Sequence, residues 1–547
     1  METCVDDINL YKGWRVFCCG GQGADVCRFL GFEMVNKILK LCMDKGFLLD
    51  REMLDLFSGM EIDVVEKIVD VLMGVVKERI ITKAVFDEHV DKFRDLLVID
   101  GGGEVVEGEG VKLLVAPAFK SGKIEVGDFV RHFRARFESI KGMLEKKDLT
   151  NLSSIRRVGK NNGVYSIIAM VKSKRVTKNK NLLVEVEDLT GSSIVLINRE
   201  KKDLFKVAND LLLDDIVVFR VSGSSEMLFV NDIIYPDIKL DEERYGDVDE
   251  YVAFSGDFHV GSKMFLEKSL LKFVDWINGD VGDERQKAIA RKVKYLFLAG
   301  DNIDGVGHYP GQEKFLNIKT CRGQYQKVEE ILRKIRSDVQ IVMCPGQHDA
   351  VWLGEPQPII GEKWAPGLHR MQNVHLVPNP ALVEINGGFK ILMYHGASIN
   401  HFINELPEIR LRVGHGNPTR VVKEMLKRRH LAPIHGLMDY IPCEEKDPLV
   451  IDIIPDIVAT ADQHRAEVDS YNNILLVASS CWQSMTPFEE KVGNVPDPCK
   501  VPLFNLKNRE IKIIDFSEDE IKWDEGRELS CSLGMNGVCE LGGKDGE

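Results

Sequence analysis

Apolar positions along this chain fall into three regimes. Over residues 24–77 they recur at helical spacing. Val35, Ile38, Leu39 and Cys42 stand at i, i+3, i+4 and i+7, and Val64, Ile68, Val71 and Leu72 repeat the stripe. The pattern predicts a small helical module over 1–79. Periodicity then fails over 80–125, where Gly101, Gly102 and Gly103 stand with Glu104, Glu107 and Glu109, a composition that suits a flexible acidic linker. A charged helix, VGDFVRHFRARFESIKGMLEKK, follows at 126–147. After it come short alternating runs, VYSIIAMV, NLLVEVED, SSIVLI and DIVVFRVS, broken by Gly and Asn. Five or so short strands in so little sequence predict a small closed barrel of the OB type, a nucleic-acid-binding domain over 126–240.

From Tyr251 onward the runs change character. YVAFSG, YLFLAG, QIVMCPG, KILMYHG, DIVATAD and NILLVASS are short, continuous and rich in β-branched or aromatic residues, as in a sheet covered on both faces. Helical stretches separate them, so the third regime, 246–530, reads as an α/β domain. The fold class expected is therefore multidomain α/β. The tail 531–547 has no periodicity and reads as disordered.

The chain's 547 residues exceed the roughly 100–200 of one domain, which agrees with several cores. With 44% hydrophobic and 29% charged residues it is an ordinary globular composition. No apolar run reaches the roughly 18–20 residues of a membrane span, and the start lacks a basic and apolar leader, so a cytoplasmic, nucleoid-associated location is expected and no membrane partner. Twelve scattered cysteines without a C-x-x-C pair read as free thiols. A net charge of −14 excludes a protein that coats DNA by bulk electrostatics, so any contact with DNA is local, metal-assisted or shared with a partner.

The strand ends carry the chemistry. In order they read Asp257-Phe258-His259, Gly300-Asp301-Asn302-Ile303-Asp304, Gly346-Gln347-His348-Asp349, His395-Gly396 and Ala461-Asp462-Gln463-His464. Loops beyond strand ends are where α/β sheets build sites. Five such tips all offer O or N ligands, as a two-metal phosphoesterase requires, with ions about 3.5–4 Å apart bridged by a carboxylate. Mixed imidazole and carboxylate donors favour Mn²⁺, with Fe²⁺, Zn²⁺ or Mg²⁺ as alternatives.

The order D-x-H, G-D-x-x-D, G-N-H-D, H and G-H-x-H resembles the calcineurin-like metallophosphoesterases. The words SGDFHVGSKMF, LAGDNIDGVGHYPGQ, CPGQHDAVW, KRRHLAPIHG and SSCWQSMTPFEEKVGNVPDPCKVPLFNL resemble more narrowly the small subunit of the archaeal D-family DNA polymerase, strongly over about 130–515. The resemblance implies a calcineurin-like α/β phosphoesterase sandwich. It implies one metal among Asp257, His259, Asp301 and His464, and a second among Asp301, Gln347, His395 and Asp462, with Asp301 as the bridge. His348 would stabilise the transition state or protonate the leaving oxygen, Asp349 would orient that imidazole, and a metal-bridging hydroxide would attack. It implies a 3′→5′ proofreading exonuclease acting on primer-template DNA and single-stranded 3′ ends. Its partner would be a large catalytic polymerase subunit, in a heterodimer or heterotetramer, with a sliding clamp reached through the complex.

Gln347 stands where the family has Asn, and Asp462 where it has the first His of G-H-x-H; both fall on the second metal. Two readings therefore stay open, an exonuclease and a catalytically weakened or inactive accessory chain like the related non-catalytic polymerase subunits of eukaryotes. A free-standing small-molecule phosphoesterase is disfavoured by the barrel. Any one tip alone reads as a hydrogen-bonded cap; Asp304 reads equally as a turn residue or a support to the ligands. His308, His401, His415, His430 and His435 read as surface or packing residues. The Lys/Arg run at 172–180 reads equally as a phosphate contact or a solvated turn.

Overall fold

The computed structural model describes residues 123–524 apart from 413, 444 and 445, together with much of 37–119. The expected tail, Val35 and the triple glycine lie outside the described residues. The chain divides into two compact units, the first within residues 1–99 with 121–123 and the second comprising 100–120 and 124–547.

In the first unit the Ile62–Met73 helix buries Val65, Ile68, Val69 and Leu72 against Ile38, Cys42, Phe47 and Phe57. Ile68 and Leu72 of the stripe read in the sequence are buried, and Val71 packs partly buried against the same core. The unit also contains a short parallel strand pair, Leu48–Leu49 with Ile80–Ile81.

The second unit is built on two seven-stranded sheets. The first runs Val374–Leu376, Gln340–Cys344, Val293–Ala299, Tyr251–Ser255, Lys500–Asn505, Ile511–Asp515, Lys522–Trp523. Its first four strands are parallel and the rest antiparallel. The second runs Glu467–Tyr471, Ile474–Ala478, Ile457–Thr460, Phe389–Met393, Ala381–Ile385, Val111–Val115, Glu107–Gly108. All six apolar runs read from the sequence are strands. Each central strand is apolar on both faces because both are covered. Val252, Phe254, Tyr295, Phe297 and Val342 meet Val383, Ile391, Met393 and Ala459 between the sheets. The outer faces lie under helices, including Glu267–Asn278 and Cys321–Leu332 on one side and Ile399–Glu405 and Pro418–Arg428 on the other.

The supposed linker is corrected by this topology. Val111–Val115 pairs with Ala381–Ile385 and sends Val111 and Leu113 into the layer between the sheets. The run VKLLV alternates as a half-buried strand does; its glycine- and glutamate-rich neighbours masked it.

Between this strand and the sheets' remaining members the chain forms a closed five-stranded barrel, in the order Gly163–Val176, Leu182–Asp188, Gly191–Ile197, Met227–Ile234, Ile216–Ser224. The 14-residue first strand pairs along its first half with Ile216–Ser224 and along its second with Leu182–Asp188, with a register shift between Val171 and Ser173. Bending one long strand between two partners in this way is how a small sheet closes. Two members of the basic run at 172–180 are engaged within the fold. Lys172 pairs with Glu185 at 2.9 Å, and Lys174 donates to the carbonyls of Asn209 and Leu211, where the Lys202–Asn209 helix ends.

Two buried ion clusters join barrel, helix and sheets. Arg428 Nε lies 3.1 and 3.2 Å from the two Asp215 oxygens. The helix Val126–Leu144 packs Phe137, Ile140 and Leu144 on the barrel residues Ile168, Ile216 and Val218. From the same helix, Arg136 Nε donates to Asp447 Oδ2 at 2.5 Å and Nη1 to the Pro433 carbonyl at 2.8 Å. His430 Nε2 donates to the same Asp447 oxygen at 2.9 Å, while its Nδ1 accepts from the Ala432 N–H at 3.0 Å, which fixes one neutral tautomer.

Candidate metal centre

The tips converge at the carboxyl ends of the parallel strands, and the backbone bends sharply to bring them there. Asp257, His259, Asp301, Asp462 and His464 all have positive φ, from 47° to 67°. Left-handed backbone at a non-glycine residue costs of order 1 kcal/mol each, and clusters where the surroundings over-determine a site. Two glycines make room. A Cβ on Gly300 (φ +91°) would strike the His395 ring, and one on Gly346 would strike Asp301 and His395.

The donors form one buried cluster. His259 Nε2 and His464 Nε2 are 3.1 Å apart. His395 Nε2 lies 3.4 Å from Asp301 Oδ2 and 3.7 Å from Asp462 Oδ1, and His464 Nε2 lies 4.0 Å from Asp257 Oδ1. Asp257, His259 and His464 could hold one ion, and Asp257, Asp301 and His395 could share another. Gln347, half-buried, opens onto the same cavity of about 400 Å³, with His308, Tyr309, Phe315 and His415.

The far sides of the rings fix which nitrogen faces inward. His395 Nδ1–H donates to the Ala299 carbonyl at 2.7 Å, and His464 Nδ1–H donates to Glu489 Oε1 at 2.7 Å. Both rings therefore turn Nε2 to the cluster, the arrangement metal-bound histidines adopt. Buried Asp257 Oδ1 and His395 Nε2 have no hydrogen-bond partner among the described residues. Unpartnered buried acceptors facing one another, with imidazole nitrogens at the spacing of adjacent ligands on an ion that holds nitrogen at about 2.0–2.1 Å, fit divalent cations.

The electrostatics agree. Burial pushes the Asp257 carboxyl up to about 7 against the pull of His464 and His395. Burial also raises Asp462, which His395 opposes. For Asp301 burial acts upward too, but His395 and His348 outweigh it and hold the carboxyl well below its usual range. His395 is correspondingly raised, its burial overcome by Asp301. The buried carboxylate cluster thus calls for compensating positive charge, which a divalent cation would supply.

Sequence-adjacent His348 and Asp349 part company. The Asp349 carboxylate does not orient His348. It accepts from the N–H groups of Asn302 (3.2 Å) and Gly346 (2.9 Å), the Asn302 amide (3.0 Å) and the Tyr325 hydroxyl (2.8 Å), tying two tips together. Consecutive residues point in different directions, so adjacency could not place both on one ring. The His348 ring is held instead by the Asp304 carbonyl, to which Nδ1–H donates at 2.8 Å, and its backbone N–H donates to Asp301 Oδ1 at 2.8 Å. Asp304 lies inside the site, its Oδ1 3.3 Å from His259 Nδ1 and 3.0 Å from Gln483 Nε2, which donates to it. Of the five histidines read from the sequence as surface or packing residues, His308 and His415 line the cavity. His415 Nδ1 lies 3.1 Å from Gln463 Oε1.

Glu489 went unread although its signal is present. Thr486-Pro487-Phe488-Glu489 is a capping box at the start of the Pro487–Val492 helix, and it holds the carboxylate toward His464. Glu489→Gln is expected to weaken divalent-cation binding about 10- to 100-fold with little change in the urea midpoint. Calorimetric titration of Mn²⁺ checks this, and an unchanged affinity would remove Glu489 from the site.

Fold and cluster together define a class, a mixed α/β protein of two stacked sheets with a closed barrel and a strand-end set of carboxylate and imidazole donors. The pattern of the DNA polymerase alpha/epsilon B-subunit family matches residues 252–469. The DNA polymerase II small subunit of Methanothermobacter thermautotrophicus is 36% identical over 394 residues, covering 72% of this chain and 80% of the relative. That of Archaeoglobus fulgidus is 35% identical over 395 residues, covering 72% and 78%. The chain belongs to the family of archaeal D-family (DNA polymerase II) small subunits. Among solved structures, a Zn²⁺ complex of Vps29 from Entamoeba histolytica matches with a TM-score of 0.26, 15% identity and coverage of 50% of this chain and 97% of that one. A structure described as a novel archaeal phosphodiesterase matches with a TM-score of 0.24 and 14% identity, over 48% and 98%. No described helix is long and apolar enough to cross a membrane.

Proposed function

We propose that this subunit is a two-metal 3′→5′ exonuclease that removes terminal nucleotides misplaced by a large catalytic polymerase subunit, its partner. The observation that carries the reading is the convergence of five separate tips on one buried donor set, in which Asp257 Oδ1 and His395 Nε2 have no hydrogen-bond partner among the described residues. Asp257, His259 and His464 would hold one cation and His395 with Asp462 a second, with Asp301, near both His259 and His395, serving the two and Gln347 offering its amide oxygen to the second. Bound there, divalent cations, Mn²⁺ foremost, would supply Lewis-acid stabilisation of the phosphoryl oxygens and a water of lowered pKa.

The chain's own residues do the rest. Because a carbonyl occupies His348 Nδ1, any proton passes through Nε2, which suits protonation of the departing 3′-oxygen. Asp349 keeps the tips in register, and Glu489 and the Ala299 carbonyl keep two imidazoles aimed. The barrel, read as an OB-fold, would contact DNA beside the site.

One observation favours the accessory-subunit reading. Asp462 Oδ2 already accepts from Gln463 Nε2 at 2.7 Å, so one of its oxygens is engaged. Mn²⁺ titration of single-stranded DNA degradation separates the two for wild type, Asp462→His, Gln347→Asn and the double variant. The exonuclease reading expects activity in wild type, and half-maximal rate at lower Mn²⁺ in the double variant, the two changes coupling because they touch one ion. A wild type inactive at every concentration alongside an active double variant makes the chain an accessory subunit.

A further inference from the structure

The cavity above the donor cluster has two unlike walls. One carries Gln463, Asn400, Asn494 and Thr486. The other carries Tyr309 and Phe315 from a single loop, with the His308 ring 4.5 Å from that of His348 and inclined by 30°. Tyr309 is 41% exposed. A large ring held open to solvent inside a concave site is a surface awaiting a flat, apolar occupant.

This wall is fixed in place. Buried Gln312 accepts the N–H groups of Gly307 (2.8 Å) and His308 (3.0 Å) through Oε1 and donates to the Asp304 carbonyl (2.9 Å) through Nε2. Buried Gln324 accepts the Gly305 N–H at 2.9 Å and donates to the carbonyls of Gly305 (3.1 Å) and Ile318 (2.7 Å). The Phe315 carbonyl accepts from the Lys263 N–H at 2.8 Å. Two buried amides thus hold the aromatic loop against the donor cluster, so little ordering remains to be done on binding.

The floor is deep, with Asp257 and His395 wholly buried. A phosphodiester reaches it only by descending into a cavity of about 400 Å³, the scale of a small-molecule site, with no room for a base still paired to a second strand. Resting on the phosphodiesterase reading above, we propose that Tyr309, with Phe315 and His308, is a stacking wall that receives the unpaired 3′-terminal base of a DNA strand while its phosphodiester lies on the carboxylate–imidazole floor. Every base has a π-face, so this wall accepts any base and selects for one that is unpaired. A mismatched end, which frays readily, enters; a paired end does not.

The test uses the full chain and a single-stranded oligonucleotide ending in 2-aminopurine, whose fluorescence falls on stacking. Wild type and Tyr309→Phe should quench the terminal probe in EDTA, where it is not released, and Tyr309→Ala and Phe315→Ala should quench it far less. Hydrolysis should favour a base-bearing 3′ end over an abasic one by about 5- to 150-fold in wild type, falling toward parity in Tyr309→Ala and recovering in Tyr309→Phe. Quenching and discrimination that survive in Tyr309→Ala and Phe315→Ala overturn the proposal. Quenching by wild type without hydrolysis of either end upholds the stacking wall and removes the nuclease reading. Hydrolysis without quenching or discrimination does the reverse.

Discussion

Asp301→Asn is expected to lower Mn²⁺-dependent release of nucleotides from single-stranded DNA by about a thousandfold or more. Asp301 stands between two imidazoles, with Oδ2 3.4 Å from His395 Nε2 and 3.9 Å from His259 Nε2, while Oδ1 accepts from the His348 backbone N–H. Loss of its charge removes the group common to both proposed cation positions, and the several kcal/mol of transition-state stabilisation such ions supply corresponds to that factor. The asparagine keeps the shape and an acceptor for the His348 N–H, so far-UV circular dichroism and the urea midpoint should stay close to wild type. His348→Ala should instead slow turnover and leave cation affinity unchanged. An Asp301→Asn variant that cuts at the wild-type rate would sink the site assignment.

The second large effect is on stability. Asp447→Ala is expected to cost about 3–5 kcal/mol, because it leaves the fully buried Arg136 guanidinium without its counter-ion. Chemical denaturation reads this directly. Replacing both partners with apolar residues, Arg136→Met with Asp447→Leu, should recover most of the loss; a double variant as unstable as the single one would show that the ion pair is not what joins helix and sheets. The same cluster makes the junction acid-sensitive. Burial, with Arg136 nearby, lowers His430 from 6.5 to about 4, so the unfolded chain binds more protons than the folded one in that interval. The stability His430 contributes is complete above pH 6.5 and is lost as pH falls toward 4. Raised groups such as His395 slope the other way. The measurement is therefore wild type against His430→Gln at each pH, and the difference should shrink between 6.5 and 4.

Strands buried on both faces were legible as continuous apolar runs, and their tips as donors. A short strand at a sheet edge was not. Glu467–Tyr471, at the sheet edge, reads EVDSY and buries only Val468. Contacts across long separations left no local trace: Arg136 and Asp447 are 311 residues apart. The site was legible in composition and order but not in direction. Nothing in Gly346-Gln347-His348-Asp349 says that Asp349 turns to Tyr325 while His348 turns to the cavity.

The Val111–Val115 strand has a consequence for biosynthesis. Its partner, Ala381–Ile385, is translated about 270 residues later (385 − 115), after the whole barrel. At about 5–20 residues per second the ribosome takes roughly 14–54 s to bridge that interval. During that time the emerged VKLLV segment has no sheet to join, and the barrel folds while tethered to it. A fragment started at 126, where composition alone would place the boundary, lacks the strand and leaves Ala381–Ile385 as a bare sheet edge prone to pairing with another chain. Separate production of the two-sheet core therefore has to begin upstream of the barrel, at about residue 105, and the barrel travels with it as an insertion.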